Sequence, residues 1–163
     1  MKQVGAALVL LFITASGFAA TKNDIRGLSP GMTQAQAAEH FPCKKLPGYQ
    51  IQLYDNCDFS DGSITLIFTK TLEPNLLKEI NYKFVSGTGP KDMIAAVSQQ
   101  FNAQLIKLDW SHEIADALRP NRSRRSLVKI AAWNLDDNAV LELTSGRPTD
   151  GSQPYEYILK LTS

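Results

Sequence analysis

Alternation of apolar and polar residues predicts β-strands along much of this chain. Apolar side chains occupy every second position in the segments 63–69 and 80–84. A period of two is typical of a strand with one buried face. Three later segments, 127–135, 140–144 and 155–162, are predicted strands as well, with a weaker strand near Leu53 and another near Leu105.

Two segments follow the helical period instead. Thr33 is a favourable N-cap and Gln36 stands three residues later, which is the pattern of a capping box. The short Ala-rich helix that follows is ended by Pro42. Pro90 suits the first position of a second helix. Apolar residues recur every four positions from Met93 to Phe101, so this helix has one apolar face.

The predicted fold class is α+β, with an antiparallel sheet that carries its helices on one face. Antiparallel pairing is favoured because the connections between strands are short. The order of elements is a helix with about three strands, then a second helix with three or four strands. That order indicates a tandem of two helix-plus-three-strand units, 24–86 and 87–163, although the halves share no residue-level identity.

The first nineteen residues have the pattern of a signal peptide. Lys2 precedes an apolar run over 4–13, and small residues follow it. Cleavage after Ala19 would place Gly17 and Ala19 at the two positions where signal peptidase requires small residues. We therefore expect a periplasmic or secreted protein with one mature domain over 20–163. The apolar run is too short for a stable membrane anchor.

Composition narrows the function classes. The chain of 163 residues has 44% hydrophobic and 20% charged residues with a formal net charge of +1. This hydrophobic content supports a folded core. A near-neutral balance argues against a nucleic-acid-binding protein, which would be strongly basic.

Export makes the two cysteines informative. Cys43 and Cys57 are fourteen positions apart, and an even count in an oxidising compartment predicts a structural disulfide. The alternative, a metal site, lacks enough ligands, because neither His40 nor His112 forms a metal-binding motif with them. We predict no metal and no other cofactor.

The segment from Ile25 to Thr33, followed by the Ala-rich helix and Pro42, resembles the opening of exported bacterial proteins with the β-lactamase-inhibitor-like fold. That group includes the small lipoprotein of the outer-membrane β-barrel assembly machinery. The resemblance implies a helix packed on an antiparallel sheet, and some members carry the unit twice. Members bind quite different proteins, so it implies a binding role without naming the partner. The lipid-anchoring cysteine of the assembly lipoprotein is absent here.

A basic segment is the most unusual local concentration of charge in the sequence. Arg119, Arg122, Arg124 and Arg125, followed by Lys129, have no acidic residue between them. The planar guanidinium favours carboxylate or phosphate contacts, so this segment is a candidate site for an anion or a partner. The alternative is a solvated loop. No aromatic residues are interleaved with it, which argues against single-stranded nucleic acid.

Catalytic chemistry is weakly indicated. His112 stands among Asp109, Ser111 and Glu113, but triad members usually converge from distant segments and no Gly-rich nucleophile turn is present. Asp55, Asp58 and Asp61 miss the spacing of a calcium loop, and we expect them in a solvated hairpin.

The leading hypothesis is a non-enzymatic exported protein that binds an envelope protein or an anionic envelope polymer, through its sheet face or the loop from Arg119 to Arg125. A face lined with aromatic residues would suit a protein partner, although core burial is the expected place for most of them. The alternative is a small exported hydrolase or cell-wall-modifying enzyme that uses His112 or a pair of acids.

Overall fold

A computed structural model describes residues 24–49, 52–69, 74–106, 127–135, 138–146 and 155–163 of the protein. Within these ranges the chain forms two helices and one antiparallel sheet of eight strands, which confirms the α+β prediction. The helices are α1 (Gln34–His40) and α2 (Pro90–Phe101). The strands are β1 (Lys44–Tyr49), β2 (Gln52–Phe59), β3 (Gly62–Thr69), β4 (Leu77–Ser86), β5 (Gln104–Leu105), β6 (Val128–Asn134), β7 (Val140–Gly146) and β8 (Tyr155–Thr162).

The sheet joins two groups of strands along one central seam. Its order is β1-β2-β3-β4-β8-β7-β6-β5, so β4 and β8 pair in the middle and β1 and β5 form the edges within the described residues. Each helix is followed by four consecutive strands that pair as a meander. Four strands, and not the predicted three, follow the first helix, and a tandem of two duplicated units stays a prediction.

Both helices pack on the same face of the sheet. Cross-strand partners point to the same side, and one row of partners crosses the sheet from Asp55 on β2 to Trp133 on β6. Gln34 of α1 hydrogen-bonds to Asp55, and the indole N–H of Trp133 donates to Ser98 Oγ of α2 at 2.8 Å. The helices therefore contact opposite ends of one row, and the core lies between them and the sheet.

The core residues are those that the alternation predicts. Strands β3, β4, β7 and β8 turn every second side chain toward the helices, and α2 buries its predicted apolar face. The largest fully buried side chains are Trp133, Tyr82, Tyr157, Phe68, Ile25, Leu28, Ile64, Leu66, Leu77, Ile80, Ile130 and Leu141.

The predicted start of α1 is confirmed in atomic detail. The hydroxyl of Thr33 accepts a hydrogen bond from the Gln36 N–H at 3.2 Å, and the Gln36 side chain accepts from the Thr33 N–H at 2.8 Å. These reciprocal bonds satisfy two donors that a helix start leaves without partners. The last helical residue is His40, whose position at the C-terminal end suits a residue that can carry positive charge.

No described helix is long and apolar enough to cross a membrane. The predicted signal peptide over 1–19 lies outside the described residues.

Candidate binding face of the sheet

The side of the sheet that faces away from both described helices is called the open face here. It carries the strand positions that alternate with the buried ones. One row of its cross-strand partners runs from the edge strand β1 to β7, in the order Lys44, Asn56, Thr65, Asn81, Lys160 and Glu142. The residues between these positions point to the core. The residue types on the open face are therefore not determined by packing against the helices.

Across β6, β7 and β8 the open face carries an ion-pair network of two lysines and one glutamate. Glu142 on β7 lies between Lys160 on β8, at 2.7 Å, and Lys129 on β6. Burial by itself raises the pKa of Glu142, but hydrogen bonds from Lys129 and Lys160 outweigh it and lower the pKa below its usual value. The hydrogen bond to Glu142 in turn raises the pKa of Lys160. Both lysines of this part of the face thus lie against a carboxylate.

We expect Glu142→Gln to lower the free energy of unfolding by about 1 kcal/mol at pH 7, because two lysines lose their carboxylate partner. The folded pKa of Glu142 is depressed, so its contribution is complete above the unfolded pKa of about 4.3 and disappears as the pH falls through the folded value. Urea unfolding at pH 7 and at about pH 3 would measure the difference. Asp58→Asn, which removes an exposed carboxylate bonded only to the neutral amide of Asn56 among described groups, is the control. An equal effect of Glu142→Gln at both pH values would contradict the expectation.

Across β1, β2 and β3 the open face carries a small apolar surface. Leu46 pairs with Tyr54, and Tyr54 pairs with Ile67, so the three side chains are cross-strand neighbours. Leu46 is exposed, and Tyr54 and Ile67 are half-buried. We call Leu46, Tyr54 and Ile67 the apolar patch. An aromatic residue among aliphatic ones with a polar border is typical of the centre of a protein–protein contact.

The edge beside the patch is poorly suited to adding another strand. Lys44 and Lys45 begin β1, Pro47 lacks a backbone N–H, and the register shifts between Leu46 and Tyr49. Lysine, proline and irregular pairing are the features by which natural sheets prevent edge-to-edge association. Addition of another strand along this edge is therefore disfavoured.

The stacked and fully buried aromatic residues lie on the covered side of the sheet and do not contribute to the open face. Tyr82 and Phe84 of β4 stack with centroids 5.0 Å apart, and Phe84 stacks on Tyr157 of β8 at 5.5 Å. Trp133 is also fully buried. Core burial, the expected place for most of the aromatic set, is confirmed for Tyr82, Tyr157 and Trp133. The side chain of Tyr49 and all of Trp110 lie outside what the structure describes.

Arg26 clamps the N-terminal turn to the β2–β3 hairpin. Its guanidinium donates through Nη2 to Asp61 at 2.5 Å and to the Tyr82 hydroxyl at 3.0 Å, and it lies over the rings of Phe59 and Tyr82. Burial and the hydrogen bond to Asp61 raise the pKa of Tyr82 to about 12. Arg26 and Gly27 both have positive φ, 55° and 81°. This turn closes with paired hydrogen bonds between Ile25 and Leu28, so a strained arginine is held by the contacts that its side chain makes.

The structure confirms the predicted cysteine pair, while the basic segment lies outside the described residues. Cys43 and Cys57 form the disulfide, with Cα atoms 4.3 Å apart. It links the residue before β1 to β2, so it secures the edge strand that carries Leu46. Arg119, Arg122, Arg124 and Arg125, and also His112, are not among the described residues, so the anion-binding and catalytic hypotheses for them stay predictions.

The acidic residues near the hairpin do not come together. Asp55 accepts both hydrogen bonds from Gln34 Nε2 on the covered side, Asp58 accepts from Asn56 on the open face, and Asp61 binds Arg26. The expectation of a solvated hairpin is wrong for Asp55, which is only 4% exposed because α1 covers it. No group of three or more potential metal ligands occurs among the described residues.

The apolar patch has no signal in the sequence. Leu46 lies in the segment KKLPGY, which has no clear alternation and contains proline and glycine, so β1 is not predicted there. Only the pairing of β1 with β2 reveals that Leu46 joins Tyr54 and Ile67.

Comparison with protein-family models, curated proteins and solved structures found no match to this chain.

Proposed function

We propose that this protein is an exported, non-enzymatic binding protein that contacts another component of the cell envelope through the open face of its sheet. The observation that supports the proposal best is the asymmetry of the sheet. Both described helices and the stacked aromatic residues lie on one side, and the other side carries an apolar patch beside an ordered ionic network. Export, with cleavage after Ala19, and the resemblance to β-lactamase-inhibitor-like proteins belong to the same proposal.

The pairing of lysines with carboxylates on the open face favours a protein partner over an anionic polymer. Lys129 and Lys160 share the carboxylate of Glu142, and Lys83 forms an ion pair of 3.0 Å with Glu156, so each of these lysines already has a carboxylate partner. A polyanion would need a run of uncompensated cations, because its binding comes mainly from charge neutralisation. The basic segment from Arg119 to Arg125 offers such a run, and it is the second candidate contact of the same protein.

Site-specific photo-cross-linking in the cells that make the protein tests the proposal. Asp58 is exposed on the open face, and Asp92 is an equally charged, exposed residue of α2 on the covered side. A photoreactive amino acid at position 58 should capture one saturable partner, and the same amino acid at position 92 should not. The four-arginine alanine variant, run in parallel, measures the contribution of the basic segment.

Two outcomes would contradict the proposal. The first is that positions 58 and 92 capture partners equally, or capture none, and that the four-arginine variant captures the same proteins as the wild type. This result would exclude specific binding through either candidate surface. Turnover of a cell-wall polymer by the purified protein, abolished by His112→Ala, would favour the enzyme hypothesis instead.

A further inference from the structure

The edge strand β1 contributes no described side chain to the core. Its three described side chains, at positions 44–46, are all exposed, whereas β2 buries Asp55 and Cys57. Burial of apolar side chains is the dominant favourable contribution to folding, so β1 lacks the main force that holds the central strands in the sheet. What holds β1 is its backbone pairing with β2 and, next to that pairing, the disulfide from Cys43 to Cys57.

The pairing that holds β1 is short and irregular. Positions 44–46 pair in register with β2, and the register then shifts before the last pair, Tyr49 with Gln52. Segments with few buried contacts are the first parts of a fold to open. The chain before β1 is held separately, because the ring of Phe41 packs edge-on against Phe59 with centroids 5.0 Å apart. Opening would therefore be confined to β1 itself.

Opening of β1 would uncover an edge of β2 that lacks protection against association. The uncovered segment, 52–56, contains no proline, glycine or lysine, although β1 has all three. Lysine, proline and irregular pairing protect natural edge strands. Segment 52–56 also pairs in unbroken register with β3 on its other side. It therefore stays extended and presents backbone N–H and C=O groups to an incoming strand.

We propose that the Cys43–Cys57 disulfide is a redox switch for self-association, and that its reduction allows two copies of the protein to pair through segment 52–56 of β2. In the oxidised protein β1 covers this segment, and the copies stay separate. In the reduced protein β1 opens, and β2 of one copy adds to the sheet of the other. Each copy contributes the same single segment, so pairing ends at a symmetric dimer. The inference goes beyond the proposed function and does not depend on it.

The uncovered segment can pair with a second copy of itself without electrostatic conflict. Antiparallel pairing centred on Tyr54 places that residue opposite its own copy. The pairs on either side are then Leu53 with Asp55 and Gln52 with Asn56. Asp55 is the one charged residue of the segment, and in this register it faces an apolar residue. Centring the pairing on Asp55 instead would place two carboxylates directly opposite each other, which is unfavourable.

The reductant that the switch requires is a dithiol. One of its thiolates attacks Cys43 Sγ, because Cys43 is half-buried whereas Cys57 is only 1% exposed. The S–S bond breaks, and Cys57 leaves as a thiolate and takes up a proton. The second thiol of the reductant then displaces Cys43 and closes the reductant's own disulfide. Two electrons and two protons thus pass from the dithiol to the protein.

Sedimentation velocity of the purified mature protein tests the proposal. We expect the oxidised protein to be a monomer, and a dithiol reductant to strengthen dimerisation by at least about tenfold in dissociation constant. The double variant Cys43→Ala/Cys57→Ala should form the same dimer without reductant. Hydrogen exchange in this variant should be fast in β1, and exchange at positions 52–56 should slow as the protein concentration rises.

Substitutions in the double alanine variant locate the contact. Tyr54→Lys places two ammonium groups opposite each other at the centre of the dimer and should weaken it by at least about tenfold. Val85→Lys is the control, since Val85 is 57% exposed on the central strand β4, and it should leave the dimer unchanged. If Tyr54→Lys fails to fold, Tyr54→Cys gives a second test. Mild oxidation should join two copies through a cysteine at position 54, and the control Val85→Cys should stay monomeric.

Several results would overturn the proposal. These are a reduced protein that stays monomeric, a dimer of equal strength in the oxidised protein, assemblies larger than a dimer, or a dimer that the substitutions at position 54 do not affect. Fast hydrogen exchange in β4 and β8 after reduction would also overturn it, because the whole sheet would then have opened. None of these results bears on capture of a partner from position 58, so the proposed function is tested separately.

Discussion

Replacing Phe84 by alanine is expected to lower the free energy of unfolding by about 3 to 5 kcal/mol, the cost of removing a large aromatic side chain from a packed core. Phe84 is 3% exposed and stacks on both Tyr82 and Tyr157. Tyr82 is on the same strand and Tyr157 is on β8, so the ring bridges the β4–β8 seam that joins the two groups of strands. Loss of the ring leaves a cavity at this seam. The strands on either side cannot fill it unless β4 and β8 move relative to each other.

Val85 provides the control for this prediction. It is the next residue of β4, points to the open face and is 57% exposed. Val85→Ala should change the free energy of unfolding by no more than about 0.5 kcal/mol. Equilibrium urea unfolding of both variants measures the effect. A loss below about 1 kcal/mol for Phe84→Ala would mean that the stacked aromatic residues do not hold the seam together.

Removing the disulfide is expected to cost about 3 kcal/mol, because a loop of about fifteen residues is released in the unfolded chain. The double variant Cys43→Ala/Cys57→Ala is preferable to serine, since Cys57 is buried and a hydroxyl there would need a hydrogen-bond partner. The covalent link joins the residue before β1 to the last part of β2. Beyond the global loss, we expect hydrogen exchange in β1 to rise more than in β7, because β1 is an edge strand.

Reduction supplies the control in the wild-type protein. A dithiol reductant should destabilise the wild type by a similar amount and leave the double alanine variant unchanged. Titration of the purified oxidised protein should find no free thiol. Two titratable thiols, or a double variant as stable as the oxidised wild type, would show that the bridge does not contribute to stability.

Local signals in the sequence are sufficient to predict a structural feature where one short-range interaction determines it. Thr33 and Gln36 form the capping box that their spacing predicts, and Pro90 begins α2. The alternation in 63–69 and 80–84 places Ile64 and Tyr82 in the core, because a side-chain period of two leaves only one face to bury. The even number of cysteines and the expected export predict the disulfide. The strand pairing explains it, since Lys44 pairs with Asn56 and the cysteines are the next cross-strand neighbours.

Prediction fails where a residue's environment depends on a distant segment. Asp55 is an acidic residue close to Asp58 and Asp61, so it is expected in solvent, yet Gln34 from α1 covers it. Likewise Arg26 carries no sequence signal for a role, and its contacts to Asp61 and Tyr82 come from segments 35 and 56 positions away. Interactions at that separation leave no periodicity in the local sequence.

Local patterns along the chain are enough to establish the fold class, the positions of the helices and most of the core, because periodicity, caps and turn residues act over a few neighbouring positions. The order of strands, the burial of Asp55 and the meeting of Leu46, Tyr54 and Ile67 on one face emerge only in the folded molecule. Those outcomes depend on which strands pair and in which register. That choice is made by burial across the whole sheet, and no local segment encodes it.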